Sequence, residues 1–302
     1  MERHQKRFQH AVVGVPMVQL LAPILDACAP SEPGYSRGIP LPIIVAALQQ
    51  KGGVGKTTLV TSLFAHLVSG GYSAGILDLD PQGNASAWGV GQRVYNATPQ
   101  HGGAEAFTMP RGEIAAAYSR GILSPELLNK HVLPCTKLGR GFVMPSNPYM
   151  VVHTFTEIAF DALPVDFVLV DTPPHLPVTA FRQIVQHAHV VVSPVLPEAY
   201  SLQNIPDLVN QMADGGGQHL LDNDALRFVV NQRQRCANHD AWECVLRQHW
   251  DRWISPVVIA RASSWGELAN SHSKWSPKNT VGKVAAQLWA DIENTLSRRM
   301  AA

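Results

Sequence analysis

Residues 41–68 read LPIIVAALQQKGGVGKTTLVTSLFAHLV, and no other stretch limits the possible folds so tightly. LPIIVAAL is a short apolar run with β-branched residues, the pattern of a strand buried on both faces. The glycines Gly52, Gly53 and Gly55 follow within a tight turn, and from Thr57 to Val68 apolar residues recur at helical spacing until Gly70-Gly71 end the pattern. A buried strand, a glycine-rich turn and a helix in direct succession form the first half of a βαβ unit, whose strand needs a parallel neighbour and helices on both sides. The chain keeps this rhythm. SAGILDLD, GFVMP, VDFVLVDTPP, HVVVSPVLP, LRFVVNQ and residues 256–260 read as further strands. Helical spacing marks 112–130, 149–161, 177–187, 199–213 and 280–298, while PQGNASAWGVG reads as a loop and 96–111 as a surface excursion. Alternating strands and helices predict an α/β fold, doubly wound, with a mostly parallel sheet and helices on both faces. No repeat or low-complexity linker divides the chain, so residues 41–302 are expected to form one domain.

The glycine-rich turn suits an anion. Gly52, Gly53 and Gly55 let successive backbone N–H groups converge on phosphate oxygens, and the helix behind them adds the positive end of its dipole. Lys56 supplies a point charge for β/γ oxygens and the Thr57 hydroxyl a ligand for Mg²⁺, as in the phosphate-binding P-loop G-x-x-x-x-G-K-[ST]. That pattern's first glycine is replaced here by Gln50, and an additional lysine, Lys51, stands five residues ahead of Lys56. Carboxylates close the site. Asp171 ends the strand VDFVLVD, where an aspartate can organise the metal. Asp78 and Asp80 end another, and period-two alternation would put both on one face, one near the metal and one orienting an attacking water.

KGGVGKTT, DLDPQGNAS and VLVDTPP, in this order, resemble the deviant Walker motif, switch I and Walker-B segment of the ParA/MinD ATPases. The resemblance spans about residues 41–298 and implies an Mg²⁺-dependent ATPase of the P-loop fold. It implies that Gly52, Gly53, Val54, Gly55, Lys56, Thr57 and Thr58 hold ATP, with Asn231 of FVVNQ at the adenine. Lys51 would reach across a homodimer to the partner's nucleotide, joining Lys56 and Asp80 as catalytic residues, and Asp80 would position the hydrolytic water. Thr57, Asp78 and Asp171 would serve the metal. A cation supplied in trans is physically sensible, because it is absent until dimerisation. DPQGNAS and RASSWGELANSHSKW look more like the partition (ParA/Soj) branch, which implies non-specific double-stranded DNA and a ParB-like, hydrolysis-stimulating adaptor as partners. His175 and Pro177 depart from the usual switch II sequence.

Charge is consistent with DNA only locally. Overall there are 24 Lys+Arg against 23 Asp+Glu, but residues 227–302 hold eleven basic and six acidic residues. Arg233, Arg235, Arg247, Arg252 and Arg261 are the candidate DNA contacts, interspersed with tryptophans; a solvated basic face over a Trp-rich core would read the same way. Such contacts would be salt-sensitive and blind to base sequence. Cys236, His239, Cys244 and His249 cluster without a common zinc spacing, and reduced cysteines and a cytoplasmic, nucleoid-associated location are expected. The basic MERHQKRF, the apolar 11–25 and Ala27-Cys28-Ala29 imitate a leader, yet Pro16, Gln19, Pro23 and Asp26 interrupt it, so residues 1–40 are expected to be an extension that packs or stays mobile. Alternatives are a MinD-like membrane-cycling ATPase or a ParA-like one positioning cargo other than DNA. The first needs a C-terminal amphipathic anchor. Val281, Val284, Ala285, Leu288, Ile292 and Leu296 do form a stripe, but Asp291 and Glu293 flank it, and core packing is the expectation, with no stable membrane association. A nitrogenase-type reductase would need cluster cysteines near switch II, which are missing.

Overall fold

The computed structural model describes residues 42–90, 133–134, 141–145, 165–270 and 275–301. Its strands are β1 (Ile43–Ala47), β2 (Ala74–Asp78), β3 (Leu133–Pro134), β4 (Gly141–Pro145), β5 (Phe167–Asp171), β6 (Val190–Val195), β7 (Leu226–Arg233) and β8 (Ile254–Ala260). They form one sheet in the order β3-β4-β2-β5-β1-β6-β7-β8, parallel throughout except for the two-residue β3, which runs antiparallel to β4. The helices are α1 (Lys56–Ser69), α2 (Asn84–Val90), α3 (Val178–His187), α4 (Ala199–Met212), α5 (Gln218–Asp222), α6 (Ala237–Trp250), α7 (Ser263–Asn270) and α8 (Thr280–Ala301).

Side-chain alternation along the central strand creates the layers. Ile43, Val45 and Ala47 face the cluster that holds α1 and α8, whereas Ile44, Ala46 and Leu48 face the one that holds α3 and α4. Because both faces are covered, the strand has no polar face to show, which explains its uninterrupted apolar run. β1 sits between β5 and β6, so the direction of winding reverses around it. In an open α/β sheet that reversal leaves a crevice at the carboxyl ends of the strands, and the turn after β1 opens there.

The C-terminal stripe lies in the core. Val281, Ala285, Leu288, Ile292 and Leu296 of α8 are buried at 0–2% exposure, with Trp289 edge-on to Phe167. Pulling α8 out of the core would expose to water the apolar faces of α1 and the sheet that it covers. No helix among the described residues is long and apolar enough to cross a membrane.

Some expectations change. PQGNASAWGVG, expected as a loop, carries α2, because Ala85 and Trp88 bury and Trp88 packs edge-on against Phe64 at 6.2 Å. Tertiary contact overrides the poor helix propensity of its glycine and asparagine. β2 ends at Asp78, so Asp80 lies in the following turn and alternation does not put the two aspartates on one face. The expected helices 112–130 and 149–161, the excursion 96–111 and the extension 1–40 fall outside the described residues.

Candidate functional site

The turn after β1 curls as the glycines allow. Gly53 and Gly55 take φ of +71° and +95°, and a Cβ on Gly55 would collide with the Asn231 amide, so glycine is required twice over at that position. α1 starts at Lys56, and its first turn closes with the Leu59 N–H donating to the Gly55 carbonyl at 2.9 Å. Lys56 is buried and donates to the Lys51 carbonyl at 3.2 Å. Burial lowers its pKa, opposed by the charges of Asp171 and then Asp80. A buried cation at the start of a helix, above backbone N–H groups, is a site prepared for phosphate.

Beside it, the Thr57 hydroxyl donates to Asp171 Oδ2 at 2.7 Å, while the other carboxylate oxygen, Oδ1, is buried with no partner. Burial first, and then the charge of Asp78 across the paired strands, push Asp171 well above the ordinary carboxylate range. An orphaned oxygen next to a hydroxyl that can turn is a fit for Mg²⁺, a hard cation that takes oxygen ligands and keeps several waters. Thr57 and Asp171 would hold it. Asp78, expected as a third metal residue, is committed elsewhere: its Oδ2 accepts from the Ser86 N–H (2.8 Å) and hydroxyl (2.7 Å), and its Oδ1 accepts from the Asp80 N–H (3.2 Å). Loop capping takes three of its roughly four lone-pair sites, and it fastens the Asp80 turn to the sheet. Asp80 is half-buried, accepts from the Gln82 N–H at 2.9 Å and lies within electrostatic reach of Lys56 and Asp171.

This geometry gives the cation a pH signature. Burial raises the Asp78 pKa to about 6 despite its hydrogen bonds, and Asp171 shifts in the same direction. Raised native pKa values mean that the folded chain holds protons the unfolded chain has released, so their stabilisation is complete below about pH 4 and fades, for Asp78, as pH rises through about 6. Mg²⁺ compensates only the ionised carboxylates. Its addition is therefore expected to raise the melting temperature more at about pH 8 than at about pH 5. Equal stabilisation at both values, read by thermal unfolding, would remove Asp171 from the cation site.

Lys51 does not point into its own cradle. Its ammonium pairs with Glu198 just before α4, approaches the Ser201 hydroxyl at 3.5 Å and lies 5.3 Å from the centre of the Tyr200 ring. Sequence gave no hint of these partners, nearly 150 residues away along the chain. The Glu198 side chain is 42% exposed, so the ion pair is a surface one, worth about 0–1 kcal/mol. Such a tether orients the lysine without locking it.

Asn231 lies on the opposite side of the loop. It is buried, donates to the Val54 carbonyl at 2.6 Å and borders a cavity next to Thr58. The next residue, Gln232, adopts φ of +53° and donates from its side chain to the Gly53 carbonyl at 2.7 Å, a clamp on the loop that no motif announced. The arginines divide into two groups. Arg233 pairs with Asp240 and Glu243, Arg247 with Glu243 at 3.0 Å, and Arg252 with Asp224 while lying over Trp253. Arg235 and Arg261 are exposed and form no ion pair among the described residues. The backbone of Arg261 pairs with the end of β7, its N–H donating to the Arg233 carbonyl at 2.9 Å, two residues before Arg235.

Comparison with known proteins agrees with this construction. The family described as the CobQ/CobB/MinD/ParA nucleotide binding domain matches residues 45–263. The chromosome-partitioning ATPase Soj of Thermus thermophilus is 28% identical over 261 residues, covering 82% of this chain and 96% of that protein. The chromosome partitioning protein ParA of Myxococcus xanthus is 29% identical over 234 residues, covering 72% and 75%. In fold, the chain is similar to the MinD cell division protein of Aquifex aeolicus, with a TM-score of 0.54 at 16% identity over 86% of this chain and 97% of that one. Matched over well more than half its length, the chain belongs to the CobQ/CobB/MinD/ParA family of nucleotide-binding P-loop proteins, on the side of the Soj-type partition ATPases.

Proposed function

We propose that this chain is an ATP-hydrolysing partition protein that pairs into a homodimer around two ATP–Mg²⁺, holds double-stranded DNA without base specificity in that state, and lets go when a ParB-like adaptor stimulates hydrolysis. Its roles follow from the site: Lys56 and the loop hold the phosphates, Thr57 and Asp171 hold the metal, and Asp80 orients the attacking water. The observation that carries the reading is Lys51. Its backbone belongs to the cradle, yet its ammonium rests on Glu198, Ser201 and Tyr200, leaving it available to phosphates other than its own.

DNA retention in the presence of ATP, measured over a salt series, tests the reading. Arg261→Glu is expected to keep ATP binding and to weaken retention, lowering the slope of log affinity against log salt by about one per lost phosphate contact. Arg247→Glu is expected to change much less, since Glu243 already neutralises that guanidinium. Undiminished retention by Arg261→Glu would assign this arginine a structural part.

A further inference from the structure

On the face of the sheet covered by α3 and α4, away from α1, lies a cavity of about 460 Å³. Leu48 borders it from the end of β1, Pro174 and Leu176 from the segment after β5, Phe181 from α3 and Leu208 from α4. Whole small molecules occupy pockets of about 300–1,000 Å³ that have mostly apolar walls and a few polar groups. Leu48, Phe181 and Leu208 are buried, so the apolar part of this lining is already in place. Val178 also borders the cavity and is 69% exposed, one of two large apolar side chains so exposed among the described residues. The polar part of the lining bears on the charge of an occupant. Gln50 Nε2 donates to Gln211 Oε1 at 2.6 Å, and both side chains are exposed. Arg182 and Asp214 are exposed as well and form no ion pair among the described residues. A Cβ on Gly215 would stand 3.5 Å from Arg182 Cγ, so the arginine's arm crosses the backbone next to Asp214. One cation and one anion at the rim leave little net field to attract an ion, whereas two amides offer both donors and acceptors.

We infer that this cavity is a regulatory site for a small uncharged amphipathic molecule, its apolar body against Leu48, Phe181 and Leu208 and its polar end hydrogen-bonded at the rim. Such an occupant would touch what positions the phosphates. Leu48 and Gln50 lead directly into the glycine-rich loop, and Pro174 Cγ lies 3.7 Å from where a Cβ on Gly52 would stand. Pro173, also in the lining, follows Asp171 by two residues. A filled cavity therefore holds the loop and the segment after β5 in one arrangement, and coupling between two ligands is reciprocal. The site stands apart from the nucleotide reading; its coupling rests on that reading.

N-phenyl-1-naphthylamine, an uncharged aromatic amine that fluoresces in apolar surroundings, is the probe, and 1-anilinonaphthalene-8-sulfonate, the same body with a negative charge, is the control. Titrated onto the full chain, the neutral probe is expected to saturate at one per chain and to bind at least as tightly as the sulfonate. Val178→Asp, at an exposed position, should weaken it roughly tenfold, and Leu208→Trp, which fills the cavity, should abolish its binding. ATP with Mg²⁺, at protein concentrations where sedimentation shows a monomer, should change the probe's affinity at least about fivefold. Absence of saturation, saturation unaltered by both substitutions, or a preference of about tenfold for the sulfonate each overturns the proposal. Should Leu208→Trp fail to fold, unaltered binding by Val178→Asp overturns it alone. Equal probe affinity with and without ATP, in a chain that calorimetry shows to bind ATP, overturns the regulatory role. If ATP itself does not bind, the nucleotide reading and the coupling fall, and saturation that is lost in Val178→Asp still supports the site.

Discussion

Lys56→Ala is expected to abolish measurable nucleotide binding. Lys56 is 6% exposed, and in the free protein its charge is disfavoured by burial and balanced only in part by Asp171 and Asp80. Phosphates complete that balance. Replacing the lysine removes a desolvated cation with several charge-assisted hydrogen bonds, each worth about 1.5–3 kcal/mol, and leaves the two aspartates to repel the incoming anion. The combined effect is a loss of at least about a hundredfold in affinity, read by calorimetry with ATP and Mg²⁺. The fold should survive, since the variant also removes the cost of burying an ammonium. Affinity within a few-fold of wild type would end the P-loop assignment.

Lys51→Ala should leave ATP binding by the monomer intact and eliminate ATP-dependent dimerisation, and with it DNA retention and stimulated hydrolysis. Two magnitudes separate these outcomes. The pair with Glu198 is partly exposed, so its loss costs the monomer at most about 1 kcal/mol. A lysine buried against phosphate oxygens in a subunit interface is worth several kcal/mol, by comparison with other close charge pairs. Sedimentation in an Asp80→Ala background, where hydrolysis is expected to be very slow, checks the assembly. Dimerisation as strong as in the Asp80→Ala parent would sink the sandwich model.

Much of this site was legible in the sequence because its determinants are local. The strand, the glycines, Lys56 and Thr57 lie within fifteen residues, and Asp171 was placed by an apolar run that could only be a buried strand. Their juxtaposition, with Thr57 on Asp171, follows from β1 and β5 being neighbours. Other expectations meet competition for the same groups. Asp78 occupied a plausible position for the metal, but Ser86, eight residues on, claims its oxygen. A loop reading of PQGNASAWGVG hides that competition, since Ser86 meets Asp78 only from the first turn of α2. Likewise the arginines were counted as five cations, whereas the structure neutralises three through Asp224, Asp240 and Glu243, two of which lie on α6 itself. Net charge in a window cannot distinguish a free guanidinium from a paired one. Glu198 and Gln232 carry no local mark, because nothing in the chain nearby announces a partner more than a hundred residues away.

The end of β7 has a consequence for how activities can be separated by mutation. Three successive residues answer to three different places: Asn231 holds the Val54 carbonyl, Gln232 the Gly53 carbonyl, and the Arg233 carbonyl receives the N–H of Arg261. Ligand capture and the cationic rim are thus wired to one tripeptide, with no slack residue between them. Genetic screens for variants that lose one property and keep the other should avoid this tripeptide and recover instead changes at outward-facing side chains such as Arg235 and Arg261. Lesions at 231–233 are expected to be pleiotropic, and a library that returned cleanly split phenotypes there would show the wiring to be looser than its hydrogen bonds imply.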